Sequence, residues 1–146
     1  MVKAMHLPRK SESSVSPPLQ KLWRTAEKAA RNSYSPHSGF KVGAALKLSN
    51  GKIVTGTNVE SVSYGLTICA ERSALVQAVA QFGPKIRVKA IAVANLNQSA
   101  STPCGACRQM LAEFTEPDSP VVFPVTNGLR VMPFQKLLPL AFAMER

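Results

Sequence analysis

Three cysteines in two separate segments constrain the fold of this chain more than any other feature of its sequence. Cys69 opens the segment Cys69–Arg72, and Cys104 and Cys107 lie in the later segment Pro103–Arg108. The chain has no further cysteine, and an odd number argues against a framework of disulfides. We therefore expect the thiols to serve a metal or catalysis, in a fold that brings the two segments together.

Both cysteine segments are expected at the beginnings of helices. The apolar pattern predicts one helix over Cys69–Phe82, and a second with Thr102 as its N-cap and Pro103 as its first residue. In the second helix Cys104 and Cys107 are spaced i, i+3, so their sulfurs lie on the same face. Helix N-termini lower the pKa of thiols, so two converging helix starts suit a zinc ion.

The number of ligands predicts a catalytic zinc site rather than a structural one. Structural zinc is usually closed by four protein ligands, whereas catalytic zinc keeps one position open. Neither histidine is placed to be a fourth ligand, because His6 lies in the N-terminal tail and His37 in a turn well before Cys69. We predict one zinc ion per chain, held by Cys69, Cys104 and Cys107. The alternative is that the cysteine pair consists of two small buried apolar residues.

Glu71, two residues after Cys69, is the predicted catalytic group. Its alternative role is that of a first-turn carboxylate that favours the helix dipole. Beside an open zinc position it can take a proton from the attacking water and deliver it to the substrate. Three thiolates also make the site electron-rich, so cations are needed nearby; Arg72 and Arg108 are candidate donors to the sulfurs, and Arg72 is the better placed.

Hydrophobic periodicity predicts an α/β fold. The expected elements are a helix (19–33), strands (42–48 and 53–59), a helix (69–82), a strand (88–95), a helix (103–114), strands (121–125 and 129–132) and a short helix (134–138). Asn50-Gly51 and Asn127-Gly128 mark two hairpins, and Pro124 indicates an edge strand. We interpret residues 1–18 as a flexible basic extension and 19–146 as one domain, with helices packed on the faces of a sheet.

The charge of the chain is strongly basic, at +10 from 18 Lys and Arg against 8 Asp and Glu. Such a balance raises nucleic acid as a partner. The basic residues are scattered, however, with no run of four, so we favour a solvated basic surface and no nucleic-acid partner. No segment approaches the ~20 apolar residues that span a bilayer, and Met1–Pro18 lacks the apolar stretch of a secretory signal. We expect a cytoplasmic protein that does not bind membranes.

Several motifs in order resemble the small zinc-dependent cytidine deaminases that act on free nucleosides. They are Tyr34–Ala45, Asn58–Glu60, Tyr64–Arg72, Pro103–Gln109 and Leu137–Pro139. The zinc segments also fit the deaminase signature, in which a ligand-x-Glu element precedes Pro-Cys-x-x-Cys. The resemblance covers nearly the whole domain. It implies a three-layer α/β/α cytidine deaminase-like fold, with a mixed five-stranded sheet and helices on both faces.

The resemblance also implies an activity and an assembly. The reaction is the hydrolytic deamination of cytidine and deoxycytidine to uridine and deoxyuridine plus ammonia, in pyrimidine salvage. Zinc-activated hydroxide attacks C4, and Glu71 shuttles the proton. The implied assembly is a homotetramer whose active sites are completed between subunits.

Substrate contacts follow from the same resemblance. It assigns pyrimidine stacking to Phe40, ribose hydroxyl binding to Asn58 and Glu60, a base contact to the backbone of Ala70, and contacts from neighbouring subunits to Tyr64 and Phe142. An amide and a carboxylate spaced i, i+2 on a strand share one face, so together they can bind two hydroxyls. Ordinary strand-end polarity is the alternative for that pair, and a core position is the alternative for the phenylalanine.

Three other functions stay open from the sequence. A blasticidin-type aminonucleoside deaminase resembles the chain at the zinc site, although Asn58–Glu60 favours a plain nucleoside. A polynucleotide-editing deaminase would explain the charge, but such relatives usually carry histidine at the position of Cys69. A structural zinc module that docks on nucleic acid would need a fourth protein ligand. His37 and Ser61 depart from the residues often found at their positions in the resembled family.

Two apolar features favour assembly into an oligomer. The C-terminal segment Leu137–Met144 is strongly apolar for a chain end, and chain ends fray unless they dock. Ala70, Ala74 and Ala78 form a stripe of small residues that permits close helix approach, within the chain or to a second copy.

Overall fold

The computed structural model describes residues 14–144. In chain order the elements are α1 (Pro17–Ala30), β1 (Val42–Leu48), β2 (Ile53–Thr57), a 3₁₀ turn (Tyr64–Leu66), α2 (Ala70–Phe82), β3 (Val88–Asn95), α3 (Gly105–Ala112), β4 (Pro120–Val125), β5 (Gly128–Pro133) and α4 (Phe134–Leu137). The predicted order of elements is confirmed. Most boundaries agree within two residues because clear turns, such as Asn50-Gly51, interrupt the apolar patterns.

The five strands form one mixed sheet in the order β2-β1-β3-β4-β5. β1 pairs antiparallel with both β2 and β3, β3 pairs parallel with β4, and β4 pairs antiparallel with β5. The parallel pair is joined through α3, as a crossover connection requires. β3 lies at the centre and is buried on both faces, apart from Lys89, which explains its nearly continuous apolar sequence.

Helices cover both faces of the sheet, which confirms the predicted three-layer α/β/α architecture. One core layer lies between α1 and the sheet and includes Leu22, Ala26, Ala45, Ala92 and Ala94. The other lies between the sheet and α2, α3 and α4, and includes Leu46, Leu75, Ile91, Leu111 and Phe134. Strand residues alternate between the two layers because successive side chains point to opposite faces.

Helix α1 begins two residues before the helix start predicted at Leu19. α1 starts at Pro17, and Val15 is buried in the core layer beneath α1, with 3% of its surface exposed. Proline is favoured in the first helical turn because its missing N–H would have no partner there. Pro17 and Pro18 do not contribute to the apolar period of the helix, so the sequence pattern predicts a helix start that is two residues too late. Residues 1–13 of the predicted extension, including His6, fall outside the described residues.

β4 is an interior strand, so the edge position predicted from Pro124 is wrong. β4 lies between β3 and β5, but its parallel pairing with β3 involves only Val121 and Val122. Beyond that pairing, the Pro124 carbonyl accepts a hydrogen bond from the backbone N–H of Ser101, with a 3.1 Å N···O distance. Proline is tolerated because the ladder to β3 has already ended.

Two glycines let helices approach the sheet at backbone distance. A Cβ on Gly56 in β2 would lie 2.3 Å from the Ala74 nitrogen and 2.5 Å from the Ala70 carbonyl oxygen of α2. Gly43 in β1 meets the backbone of α1 in the same way. The stripe that includes Ala70, Ala74 and Ala78 is therefore fully buried against the sheet of its own chain. It is not available to a second copy.

Membrane insertion finds no support in this architecture. Among residues 14–144, every helix is too short or too polar to cross a bilayer.

We expect Gly56→Ala to destabilise the domain and to displace the first turn of α2. The added methyl would overlap backbone rather than a flexible side chain, so the free energy of unfolding should fall by at least about 2 kcal/mol. Thermal unfolding followed by circular dichroism measures this effect. Gly65→Ala is the matched control, because a Cβ there meets no atom within 4 Å. Equal melting temperatures for the two variants would contradict the close helix–sheet contact.

Candidate active site

The three cysteines converge at the N-termini of α2 and α3. Cys69 is the N-cap of α2, and Cys104 is the N-cap of α3. The cap of α3 therefore lies two residues after the predicted N-cap, Thr102. The Sγ–Sγ distances are 3.8 Å from Cys69 to Cys104 and 3.3 Å from Cys104 to Cys107. All three sulfurs lie within 4.8 Å of one another, so the structure brings together the residues predicted as ligands.

The thiols of this cluster are electrostatically coupled. Hydrogen bonding from Cys107 lowers the pKa of Cys69 to about 5, and the nearby Arg72 guanidinium acts in the same direction. The same hydrogen bond, together with burial, raises the pKa of Cys107. Of these two thiols, Cys69 is therefore the more readily ionised, and a cation between the sulfurs would favour the thiolate form.

A zinc ion fits this donor set. Tetrahedral zinc with Zn–S bonds of ~2.3 Å places neighbouring sulfurs about 3.8 Å apart, close to the distances observed. Among the described residues, no other group of three cysteine, histidine or acidic side chains is placed to hold a metal. The three cysteines therefore form the site for one zinc ion per chain, with a coordination position left for a non-protein ligand.

Glu71 lies in the first turn of α2 beside the sulfur cluster. Only 4% of its surface is exposed. Burial raises the pKa of Glu71 to about 7, and the negative charge on Cys69 acts in the same direction. A carboxyl group with this pKa can both accept and release a proton near neutral pH. That behaviour suits a proton shuttle better than a dipole-favouring surface carboxylate, which would stay ionised.

The two arginines next to the ligands have different partners. Arg72 donates from Nη2 to the carbonyl oxygen of Thr67 at 3.1 Å, and the same nitrogen lies 3.8 Å from the Cys69 sulfur. Arg108 donates instead to the carbonyl oxygens of Pro103 and Leu137. The first arginine can therefore withdraw charge from a ligand sulfur, whereas the second fixes the chain around α3.

Short bridges place the other predicted site residues beside α2. Val59 and Ile68 exchange two backbone hydrogen bonds of 3.0 Å, and Tyr34 forms a parallel bridge with Val59. The turn 34–40, the segment Asn58–Glu60 and the approach to Cys69 therefore lie side by side.

Glu60 is held by the turn that precedes Phe40. Its carboxylate accepts hydrogen bonds from the backbone N–H groups of His37 (2.8 Å) and Ser38 (3.2 Å), and from the Ser38 hydroxyl. These bonds, led by the one from the hydroxyl, lower the pKa of Glu60. The carboxylate is consequently ionised and fixed in direction, with lone pairs left over for a ligand.

Asn58 is more deeply buried than its predicted ribose contact suggests. Its side-chain oxygen accepts hydrogen bonds from the Ser33 hydroxyl (2.6 Å) and the Val42 N–H (2.8 Å), and its Nδ2 donates to the Phe40 carbonyl at 2.8 Å. An asparagine amide carries two N–H donors. One remains for a substrate hydroxyl, while the rest of the amide orients the backbone on either side of Lys41.

A cavity of about 370 Å³ opens between the turn 34–40 and the segments that contain Glu60 and Tyr64. It is lined by His37, Ser38, Glu60, Tyr64 and Thr67. The rings of His37 and Tyr64 meet edge to face, with their centroids 6.0 Å apart. Tyr64 therefore lies at the cavity of its own chain, with 77% of its surface exposed. Phe40 is half-buried, and Ala70 is fully buried at the first position of α2; neither is among the residues that line this cavity.

Phe142 lies elsewhere, in the C-terminal segment. Its backbone is fixed by two hydrogen bonds to the side chain of Gln109 in α3, of 2.8 and 3.1 Å. Its own side chain is 74% exposed. The residue lines a separate cavity of about 640 Å³ with Lys85, Arg87 and Phe114, and it is not among the residues that line the cavity at Glu60.

Sequence reasoning missed Ser33, Ser38 and Gln109 as partners of predicted site residues. Each forms a hydrogen bond to a residue at least twenty positions away along the chain. Residue type and local periodicity carry no signal for such contacts. For Ser38 and Gln109 the sequence contains one indication of a role at the site, which is that each lies in a motif shared with the resembled family.

Comparisons with known proteins agree with this site. The family model for the cytidine and deoxycytidylate deaminase zinc-binding region matches residues 17–123. A cytidine deaminase from Halalkalibacterium halodurans is 41% identical over 127 residues, which make up 86% of this chain and 95% of that protein. The crystal structure of cytidine deaminase from Burkholderia pseudomallei has a TM-score of 0.76 at 44% identity, covering 84% of this chain and 97% of that one.

The blasticidin-type alternative is the weaker match. A blasticidin-S deaminase from Bacillus cereus is 27% identical over 107 residues, or 69% of this chain. The family model spans all three cysteines and Glu71, and the relatives cover most of the chain at a comparable length. The chain therefore belongs to the family of zinc-dependent cytidine and deoxycytidylate deaminases.

Proposed function

We propose that this chain catalyses the hydrolysis of cytidine and deoxycytidine to uridine and deoxyuridine, with release of ammonia. The observation that carries the proposal is a buried carboxyl group, Glu71, in the first helical turn beside a cluster of three cysteines. The names of the similar proteins support the same reaction. The three free cysteines support a reducing compartment, and we place the enzyme in the cytoplasm.

Glu71 moves the protons of this reaction. Bound zinc supplies Lewis-acid chemistry, which makes water a nucleophile at neutral pH. The carboxylate takes one proton from the attacking water and gives it to N3 of the pyrimidine as the C4–O bond forms. It then transfers the second proton of that water, from the oxygen now bonded to C4, to the amino group. The C4–N bond breaks, and ammonia is released. Burial of Glu71 excludes bulk water from this exchange.

Substrate recognition is divided between the base and the sugar. Phe40 stacks on the pyrimidine ring, and the backbone of Ala70 contacts the base. Glu60 and the remaining N–H of Asn58 bind the ribose hydroxyls; the ionised, hydrogen-bonded state of Glu60 supports its role as an acceptor. A site that depends on such bonds rejects ligands that leave its polar groups unpaired.

We expect Glu71→Gln to abolish most of the activity while zinc stays bound. Glutamine keeps the shape of the side chain but cannot shuttle protons, so kcat should fall by ~10²–10⁴-fold. Cys104→Ala should instead lose both activity and metal. Zinc per chain by mass spectrometry, measured beside the rate of cytidine loss at ultraviolet wavelengths, separates the two variants. A Glu71→Gln enzyme that keeps more than a tenth of kcat would remove Glu71 from the mechanism.

The nucleoside should be the preferred substrate. We expect kcat/KM for cytidine to exceed that for free cytosine, because cytosine cannot bond to the remaining N–H of Asn58 or to the remaining lone pairs of Glu60. The same absorbance assay with blasticidin S and a single-stranded oligonucleotide tests the alternative substrates. Comparable kcat/KM on the oligonucleotide would contradict the proposal and favour polynucleotide editing.

We further propose a homotetramer in which neighbouring subunits complete each active site. The exposed apolar side chains of the C-terminal segment support this assembly: Leu140, Phe142 and Met144 are 94%, 74% and 77% exposed. The backbone of Phe142 is nevertheless held by the side chain of Gln109. An ordered segment with uncovered apolar side chains is typical of a protein interface.

Phe142→Ala should therefore weaken the assembly and lower activity without loss of zinc. An aromatic residue at the centre of an interface commonly accounts for a roughly tenfold or larger loss of association on truncation. Sedimentation velocity and activity across a dilution series measure both effects. Ile53→Ala, at an exposed apolar residue of β2, is the control. A fully active monomeric wild-type enzyme at assay concentration would refute the shared site.

A further inference from the structure

We infer that Ser38 is a positioning residue that sets the sugar-binding carboxylate and the base-stacking segment in fixed relation to each other. The inference rests on the proposed ribose-binding role of Glu60. The Ser38 hydroxyl donates to one carboxylate oxygen of Glu60 and accepts a hydrogen bond of 2.9 Å from the backbone N–H of Phe40. A single side chain thus connects the residues that hold the two halves of the nucleoside.

The remaining contacts show that the arrangement is directional. The other oxygen of Glu60 accepts the backbone N–H groups of His37 and Ser38. These N–H donors would survive the loss of the serine side chain, but they hold only one of the two oxygens. Without the hydroxyl, the carboxylate could rotate about that oxygen. Ser38 therefore determines which lone pairs face the cavity that Ser38, Glu60 and Tyr64 help to line.

The physical effect of this bond is preorganisation. A hydrogen bond to a carboxylate is stronger than one between neutral groups. Because the carboxylate is already fixed, less conformational entropy of the protein is lost when a ligand binds to it. The serine does not contact the reacting atoms in this arrangement. Its loss should therefore weaken binding of the ribose hydroxyls and leave the chemical step at C4 largely unchanged.

A substrate pair separates this role from a general effect on the site. Cytidine carries both ribose hydroxyls, whereas 2′,3′-dideoxycytidine lacks them. We expect Ser38→Ala to lower the preference for cytidine over the dideoxynucleoside, expressed as a ratio of kcat/KM values, by about tenfold, mainly through the KM for cytidine. Any disturbance of Phe40 acts on the base common to both nucleosides and cancels in the ratio.

Four further variants, one of them Glu60→Gln, complete the test. Ser38→Thr keeps the hydroxyl and should retain the wild-type preference. Ser49→Ala removes an exposed serine at the other end of β1 and should change nothing. The double variant Ser38→Ala/Glu60→Gln should lose no more preference than Glu60→Gln alone, because the serine acts through the carboxylate. Melting temperature and zinc content confirm that each protein is folded and loaded.

The outcomes distinguish this inference from the proposed function. If Glu60→Gln loses the preference and Ser38→Ala keeps it, the positioning role of the serine is wrong. If the two losses add in the double variant, Ser38 binds the sugar itself and does not act through Glu60. If Glu60→Gln keeps the preference, the proposed ribose contact fails, and the inference fails with it.

Discussion

The active site depends on holding three sulfur atoms within 4.8 Å of one another at the ends of two helices. Neither helix could do this alone, because Cys69 precedes α2 and the other two cysteines lie at the start of α3. The sheet fixes the relative position of the helices. α2 rests on β2 at backbone distance through Gly56, and α3 follows the central strand β3. Helix placement on the sheet therefore determines the geometry of the metal site.

The electrostatics of the site follow from this convergence. Two positive helix ends and Arg72 favour negative charge on the sulfurs, and hydrogen bonding between the thiols lowers the pKa of Cys69 while it raises that of Cys107. Burial raises the pKa of Glu71 to about 7, and the negative charge on Cys69 acts in the same direction. The metal site and the proposed proton shuttle are thus linked through one cluster of charges. A change in either ligand helix should alter both.

The sequence predicted the elements and ligands because each had a local signal. The strands show either alternating apolar and polar residues or a continuous apolar run, and glycine-containing turns mark the hairpins. The cysteines lie at the start of segments with a helical apolar pattern. The errors arose where tertiary context decides. Pro124 looked like an edge residue because the early end of the β3 ladder has no local signature. The contacts of Ser38 with Glu60 and of Gln109 with Phe142 join distant segments, so no periodicity could predict them.

The sign of the overall charge is a poor guide to the ligand of this site. The chain carries +10, and its basic residues include four exposed side chains on α1 and at its C-cap: Lys21, Arg24, Lys28 and Arg31. The site itself contains Glu60, Glu71 and the thiolate charge, with Arg72 turned toward a sulfur. Ionised Glu60 would repel a phosphate brought close to it. A neutral nucleoside meets no such penalty, since it binds through hydroxyl donors and an apolar ring. The local charge at Glu60 therefore supports the proposed nucleoside substrate, whatever the net charge of the chain.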